Sequence, residues 1–325
     1  MPISDYLRDL RTRIGHDLVL MPGVVAIVIN AAGETLVERT KDSGAWWLPG
    51  GAVDPGEEPA DAVVREVWEE TGVRVIPERV VATYREPLSR YPNGDQVLYI
   101  SVSFLCTPVG GEAHVHDEES LEVGYFAPGA LPPLTAHDRL RLDQALRNDP
   151  QAHFLLNGQS EEWMPIPDYI RDLRTRIGHD LLLLPGVTAV VINAAGEILL
   201  QRRSDNGQWG LLSGVMEPGE EPADAVIREV REESGLDVIP ERVSGVYSGE
   251  AFHVRYPNGD ESIYVDITFV CRPVAGEPHV GDDESLEMRY FTPDALPAMR
   301  PVQYERIEHA LRNDPRAYFR FDGRR

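Results

Sequence analysis

The chain is written twice. "MPISDYLRDLRTRIGHDLVLMPGV" begins at Met1 and "MPIPDYIRDLRTRIGHDLLLLPGV" at Met164, an offset of 163 that holds through "REVWEETG" (65–72) and "REVREESG" (228–235). The offset becomes 165 after a two-residue insertion around "GEAFHVRYPNGD" and stays there to "ALRNDP" at 145–150 and 310–315. A period this long is no solenoid repeat, so each copy is a whole domain. The 325 residues suffice for two ordinary domains. The polar stretch "LNGQSEEW" (156–163) separates them, which gives expected domains of 1–158 and 159–325.

Each copy reads the same way. A short amphipathic helix, Asp5 to Ile14 in the first copy, stops at Gly15. "VVAIVIN" and "ETLVER" follow as strands around the turn "AAG". A glycine-rich loop leads into an acidic helix, then "VVATY", the hairpin signal "YPNGD" and the long alternating strand "QVLYISVSFLC". A helix near Asp138 to Arg147 closes the unit. Strands with few helices make an α+β or sandwich pattern rather than regular βαβ winding.

Composition narrows the function. A net charge of −23 argues against nucleic-acid polymers, whose phosphates demand basic surface. Small phosphorylated ligands remain compatible if metal ions supply the positive charge. "VVAIVI" is too short for a membrane span, and charged residues precede it, so the start does not read as a secretory signal. Cys106 and Cys271 occupy matching strand positions and read as buried thiols in a cytoplasmic protein.

The acidic helix carries the chemistry. In "GAVDPGEEPADAVVREVWEETGV" (51–73), Pro59 suits the first helical turn and Gly72 the C-terminal stop. At ~100° per residue, Glu70 lies ~40° to one side of Glu66 and Glu69 ~60° to the other, so all three share a face. Val63, Val64 and Val67 fill the neighbouring arc, which places the carboxylates beside the core-facing stripe. Converging carboxylates repel by roughly 4 kcal/mol per pair at ~4 Å and an effective dielectric of ~20. Retained protons or bound cations relieve that cost. All-oxygen ligands suit Mg²⁺, with Mn²⁺ the alternative. Arg65 is placed to orient Glu66 through a bidentate pair. No serine or cysteine nucleophile with a base stands out.

Gly51, five residues, Glu57, seven residues, then Arg65-Glu66-aliphatic-x-Glu69-Glu70-x-Gly72-aliphatic resembles the signature of the Nudix hydrolases. The second copy repeats it as Gly214, Glu220, Arg228, Glu229, Val230, Glu232, Glu233, Gly235 and Leu236. "WWLPGG" (46–51) also resembles the family loop, and the resemblance covers essentially all of both halves. It implies two tandem α/β/α sandwich domains with mixed sheets, an α+β class, with the box as loop–helix–loop. It further implies a metal-dependent pyrophosphohydrolase, in which water attacks a phosphorus of a nucleoside diphosphate linked to another moiety. On matching positions, the implied metal ligands are Glu66, Glu69, Glu70 and the backbone carbonyl of Gly50. Glu57 would support the metals or accept a proton, and Arg65 would hold Glu66. In the second copy these roles fall to Glu229, Glu232, Glu233, Ser213, Glu220 and Arg228.

"YLRDLRTRIGH…YPNGD" looks like a bacterial branch labelled ADP-ribose pyrophosphatase, which points to ADP-ribose or nucleotide sugars. The alternatives are (d)NTP sanitising, or one catalytic domain paired with a non-catalytic nucleotide-binding or structural one. "WGLLSG" (209–214) places Leu212 and Ser213 where the first copy has Pro49 and Gly50. If Gly50 adopts a positive φ, serine is strained there, so the first copy reads as the better match. A further ligand or base is expected among Glu118, Glu119 and Glu122, and among Asp283, Glu284 and Glu287, with Glu119 and Glu284 the choices. Trp46 and Trp209 are candidates to stack on a base, while His16 and His179 read as local caps. The expected partners are a small nucleotide substrate, the two domains joined as an intramolecular pseudo-dimer, and a second chain if that unit dimerises further. No nucleic-acid polymer and no membrane are expected.

Overall fold

The computed structural model describes residues 5–156, 168–281, 284–312 and 314–323, so the expected boundary at 158/159 lies outside the described residues. The first copy runs α1 (Asp5–Ile14), β1 (Leu18–Val28), β2 (Thr35–Thr40), β3 (Trp46–Trp47), β4 (Gly50–Ala52) and α2 (Pro59–Thr71). It continues with β5 (Arg74–Arg85), β6 (Ser89–Arg90), β7 (Gln96–Gly110), β8 (Ser120–Phe126), α3 (Ala136–Leu146) and β9 (His153–Phe154). The second copy begins with α4 (Tyr169–Ile177), β10 (Leu182–Val191), β11 (Ile198–Arg203), β12 (Trp209–Gly210), β13 (Leu212–Val215) and α5 (Pro222–Ser234). After it come β14 (Asp237–Tyr247), a 3₁₀ turn (Glu250–Phe252), β15 (His253–Arg255), β16 (Glu261–Ala275), β17 (Ser285–Phe291) and α6 (Pro301–Leu311).

Each copy is a sandwich around a mixed sheet. In the first, the order is β4-β1-β7-β5-β9, with β6 also on β7. β1 runs parallel to β7 and β9 parallel to β5, whereas β4 is antiparallel to β1 and β5 to β7. The second copy follows suit as β13-β10-β16-β14 with β15 on β16, and each copy adds a three-stranded sheet. Alternation along β1 builds the two faces. Val24, Ala26 and Val28 pack with Val63 and Val67 of α2, while Ile27 packs with Leu142 and Ala145 of α3. The two helices therefore cover opposite faces of one sheet.

The copies are locked by reciprocal contacts. β4 pairs only with Gly23, Val24 and Val25 of β1, and Val53 N donates to Pro22 O at 3.1 Å, leaving Leu18 to Met21 without a strand partner on this edge. Pro22 has no N–H to leave unpaired. The buried N–H of Leu20 donates to Tyr169 Oη at 2.8 Å, and that hydroxyl donates onward to Leu18 O at 3.2 Å. The mirror contact runs from Leu183 N to Tyr6 Oη, also at 2.8 Å. A sheet edge, a ready template for stray pairing, is thus capped by a side chain from the other copy. Arg13 pairs with Asp180 and Arg176 with Asp17. Phe154 packs edge-on against Phe269, and Phe319 against Phe104, within a hydrophobic cluster that spans both copies.

Both cysteines are buried and free. His16 and His179 do not cap their helices: each reaches the aspartate of its own "YPNGD" turn, Asp95 at 2.7 Å and Asp260 at 2.6 Å. Among the described residues, no helix is long and apolar enough to cross a membrane.

Candidate active site

α2 starts at Pro59 and stops at Gly72, whose φ of 68° favours glycine. Glu66 and Glu70 lie on its buried side with Val63 and Val67, while Glu69 faces outward, its side chain 42% exposed. Arg65 organises the group. Its Nε and Nη2 clasp Glu57 at 2.9 and 2.8 Å, Nη1 donates to Glu66 at 2.8 Å and reaches Glu69 at 3.4 Å, and Nη2 also donates to Ala52 O. The bidentate partner is therefore Glu57, not Glu66. Glu66 is the next residue on the same helix and meets one edge of the guanidinium, whereas Glu57 faces its fork from the loop.

Glu70 accepts from Gly50 N at 3.0 Å, which ties helix to loop. Burial pushes the Glu66 carboxyl up to about 7 against the pull of Arg65. Burial, then the neighbouring charge of Glu38, raises Glu70 well above the carboxylate range. Among the described residues, no three His, Cys, Asp or Glu side chains close on a common point. Arg65 Nη1 holds Glu66 and reaches Glu69, while the Gly50 N–H holds Glu70. Glu66 Oε2 nevertheless stays buried without a hydrogen-bond partner.

The second copy reproduces this geometry. Arg228 clasps Glu220 at 2.6 and 2.9 Å and donates to Glu229 at 2.8 Å and Glu232 at 3.1 Å. Ser213 N donates to Glu233 at 3.2 Å, and burial brings Glu229 up to about 7. The serine is not strained as the sequence suggested, since neither Gly50 nor Ser213 has a positive φ. Gly50 is constrained by approach instead: a Cβ there would stand 2.2 Å from Val24 O. Ser213 sits within β13, which starts one residue earlier and pairs it with Thr188. Over this box opens a cavity of about 600 Å³, onto which Trp209, Ser213, Glu229, Glu232, Glu233 and Glu284 face.

The NUDIX domain family model matches residues 19–146 and again residues 182–311. The chain belongs to the Nudix family. Membership places it among hydrolases acting on phosphoric anhydrides. A putative 8-oxo-dGTP diphosphatase of Bacillus subtilis is 31% identical over 129 residues, 40% of this chain and 81% of that protein. A MutT-like protein of Streptomyces ambofaciens is 33% identical over 105 residues, 32% of this chain and 62% of that protein. An ADP-ribose pyrophosphatase of Methanocaldococcus jannaschii is 34% identical over 133 residues, 40% of this chain and 73% of that protein. The second alignment spans less than two thirds of the relative's length.

Outside the Nudix box, the expected residues scatter. Trp46 packs edge-on against Phe126 and joins a hydrophobic cluster; Trp209 packs likewise on Phe291 but also faces the cavity. Glu284 lies on the cavity wall and, like its counterpart Glu119 just ahead of β8, is exposed. Glu118 is exposed, Glu122 stands in β8 opposite Arg39, Glu287 pairs with Arg202 at 3.5 Å, and Asp283 lies outside the described residues.

Several residues near the boxes had no motif to announce them. Glu38 of β2 is buried beside Glu70, accepts from Ser120 Oγ at 3.0 Å and is pushed up to about 7 by burial. Its counterpart Gln201 donates to Glu233 at 2.8 Å. Asp61, in the first turn of α2, accepts from the Gly323 N–H at 3.0 Å, and Glu221, at the start of α5, accepts from Arg85 N at 3.1 Å. Each box helix is thus gripped at its start by the other copy.

Proposed function

We propose that the chain is a Mg²⁺-dependent pyrophosphohydrolase of nucleoside diphosphates linked to a second moiety, of the ADP-ribose or nucleotide-sugar type. The observation that carries this reading is the pair of largely buried box glutamates in each copy, Glu66 with Glu70 and Glu229 with Glu233, with one oxygen of Glu66 left without a protein partner. Such an all-oxygen donor set fits a hard divalent cation. Glu66, Glu69, Glu70 and the Gly50 carbonyl would hold it in the first copy, and Glu229, Glu232, Glu233 and the Ser213 carbonyl in the second. We divide the chain at 158/159.

A bound divalent ion supplies charge neutralisation at the bridging phosphates and a more acidic water. The remaining work falls to the chain. Arg65 and Arg228 fix the carboxylates through the forks on Glu57 and Glu220, so the site is organised before substrate arrives. Glu284, on the cavity wall, is the group we assign to take the proton as a water oxygen bonds to phosphorus and the bridging P–O bond breaks. Glu119 has the corresponding role in the first copy. Trp209 is the base-stacking candidate that faces the cavity.

A second reading has one copy turn substrate over while the other supports it. Relatives named for 8-oxo-dGTP and for ADP-ribose hydrolysis keep (d)NTPs in the test. A panel of ADP-ribose, UDP-glucose, dGTP and 8-oxo-dGTP with Mg²⁺, scored by the phosphate product released, decides among them. Hydrolysis of none, with both boxes intact, would overturn the proposal.

A further inference from the structure

The cavity of the second copy reaches from the box on α5 to α6, which cover opposite faces of the sheet. The α6 wall presents Arg306, 5% exposed, whose Nε has no hydrogen-bond partner. Its Nη2 lies 3.2 Å from Asp266 Oδ1. The guanidinium rests over Phe252, 4.7 Å from the ring centroid, and Phe252 stacks in turn on Tyr247. Phe252 is carried by the 3₁₀ turn Glu250–Phe252, in the loop where this copy has two extra residues.

The first copy uses the matching arginine differently. Arg141 Nε donates to Ser103 Oγ at 3.0 Å, Nη1 to Asp138 at 2.9 Å and Nη2 to Ser101 Oγ at 3.0 Å, and Nη2 also pairs with Glu86. All three nitrogens are engaged. Ser101 occupies the place of Asp266, so the neutralising carboxylates come from Glu86 in the loop after β5 and from Asp138 of α3 rather than from the sheet. In the second copy Asp266 supplies that charge from within the strand, held by Thr188 and Thr268 at 2.7 Å each, and one buried N–H is left over.

We propose that Arg306 is a specificity-determining residue of the second site, donating its Nε–H to a neutral oxygen on the nucleoside end of the substrate, and that Arg141 has no such role. The acceptor is neutral because Asp266 already balances the guanidinium, leaving no net charge to attract a further phosphate. A base carbonyl and a sugar hydroxyl share this chemistry. A buried donor left unpaired is costly, so a ligand lacking the oxygen is disfavoured. The proposal rests on reading the cavity as the nucleotide site.

Binding tests it without turnover. In the E66Q/E229Q chain with Mg²⁺, calorimetry compares dGTP with its 2-aminopurine analogue, which lacks the base carbonyl, and GTP with dGTP, which lacks the 2′-hydroxyl. One pair should differ by about tenfold in favour of the oxygen-bearing member, and which pair does so identifies the acceptor. R306K keeps the charge facing Asp266 and the buried stem but removes the Nε donor, so the ratio should fall to near one. R306Q should do the same, and R141K should leave the ratio intact. Equal binding within both pairs, or a ratio that survives in folded R306K, would overturn the assignment. Failure of the hydrolysis panel with the binding ratio intact would instead remove the catalytic reading and keep Arg306.

Discussion

Replacing Tyr169 by phenylalanine removes one oxygen from the junction of the two copies and leaves its ring in place. That oxygen accepts from the buried N–H of Leu20 at 2.8 Å and donates to the carbonyl of Leu18 at 3.2 Å. β4 takes up neither group, because its pairing with β1 ends at Gly23. One stranded donor and one weakened acceptor should cost about 1–3 kcal/mol. At about 2 °C per kcal/mol for a chain of this size, the melting temperature should fall by roughly 2–6 °C. Tyr6→Phe removes only the acceptor for Leu183 N and should lie at the lower end of that range. Differential scanning calorimetry at fixed pH and Mg²⁺ reads both. A melting temperature unchanged in Tyr169→Phe would refute the claim that the hydroxyl seals the strand edge. A change in nucleotide hydrolysis without a change in melting would place the residue at the site instead.

Glu66→Gln and Glu229→Gln should each remove part of the hydrolysis and the double variant at least about a hundredfold, ~2.7 kcal/mol of barrier; metal-dependent product release from the double variant would show that these glutamates are not the ligands. Glu229→Gln should remove the larger share if the second cavity is the working one, and initial rates on the same substrate separate the two. Arg65→Lys and Arg228→Lys lose the fork that clasps Glu57 and Glu220, so each should lower kcat in its own copy without restoring it at high Mg²⁺. In metal-free protein the raised Glu66 and Glu229 carboxyls hold protons that the unfolded chain has released. Their stabilising contribution is full below about pH 4.5 and is lost as pH rises through about 7. The wild type should therefore lose more melting temperature between about pH 5 and pH 8 than E66Q/E229Q does, and Mg²⁺ should restore more of it at the higher pH. Equal slopes for the two proteins would count against the raised values.

What could be read in advance was local or repeated. Pro59 and Gly72 bracket the box helix because both act through their own backbone, and the duplication shows where each box begins. The partner of Arg65 was misread because a helical wheel knows nothing of the loop that carries Glu57. The parallel pairing of β1 with β7 joins segments about eighty residues apart, and no residue pattern specifies it. Glu38, Asp61 and Glu221 matter through neighbours distant in sequence, two of them across the junction between copies. Arg306 and Arg141 align, and only the hydroxyls and carboxylates around them reveal that one is saturated and the other is not.

The tyrosine latch has a consequence for a divided gene. Each half carries both the strand edge and the ring that seals an edge like it, so a separated half can recognise a second copy of itself as readily as its sibling. Expressed apart, the halves would sort into like and unlike pairs. Joined in one polypeptide, they meet in a fixed one-to-one ratio, and one site can drift in specificity while its neighbour supplies the scaffold.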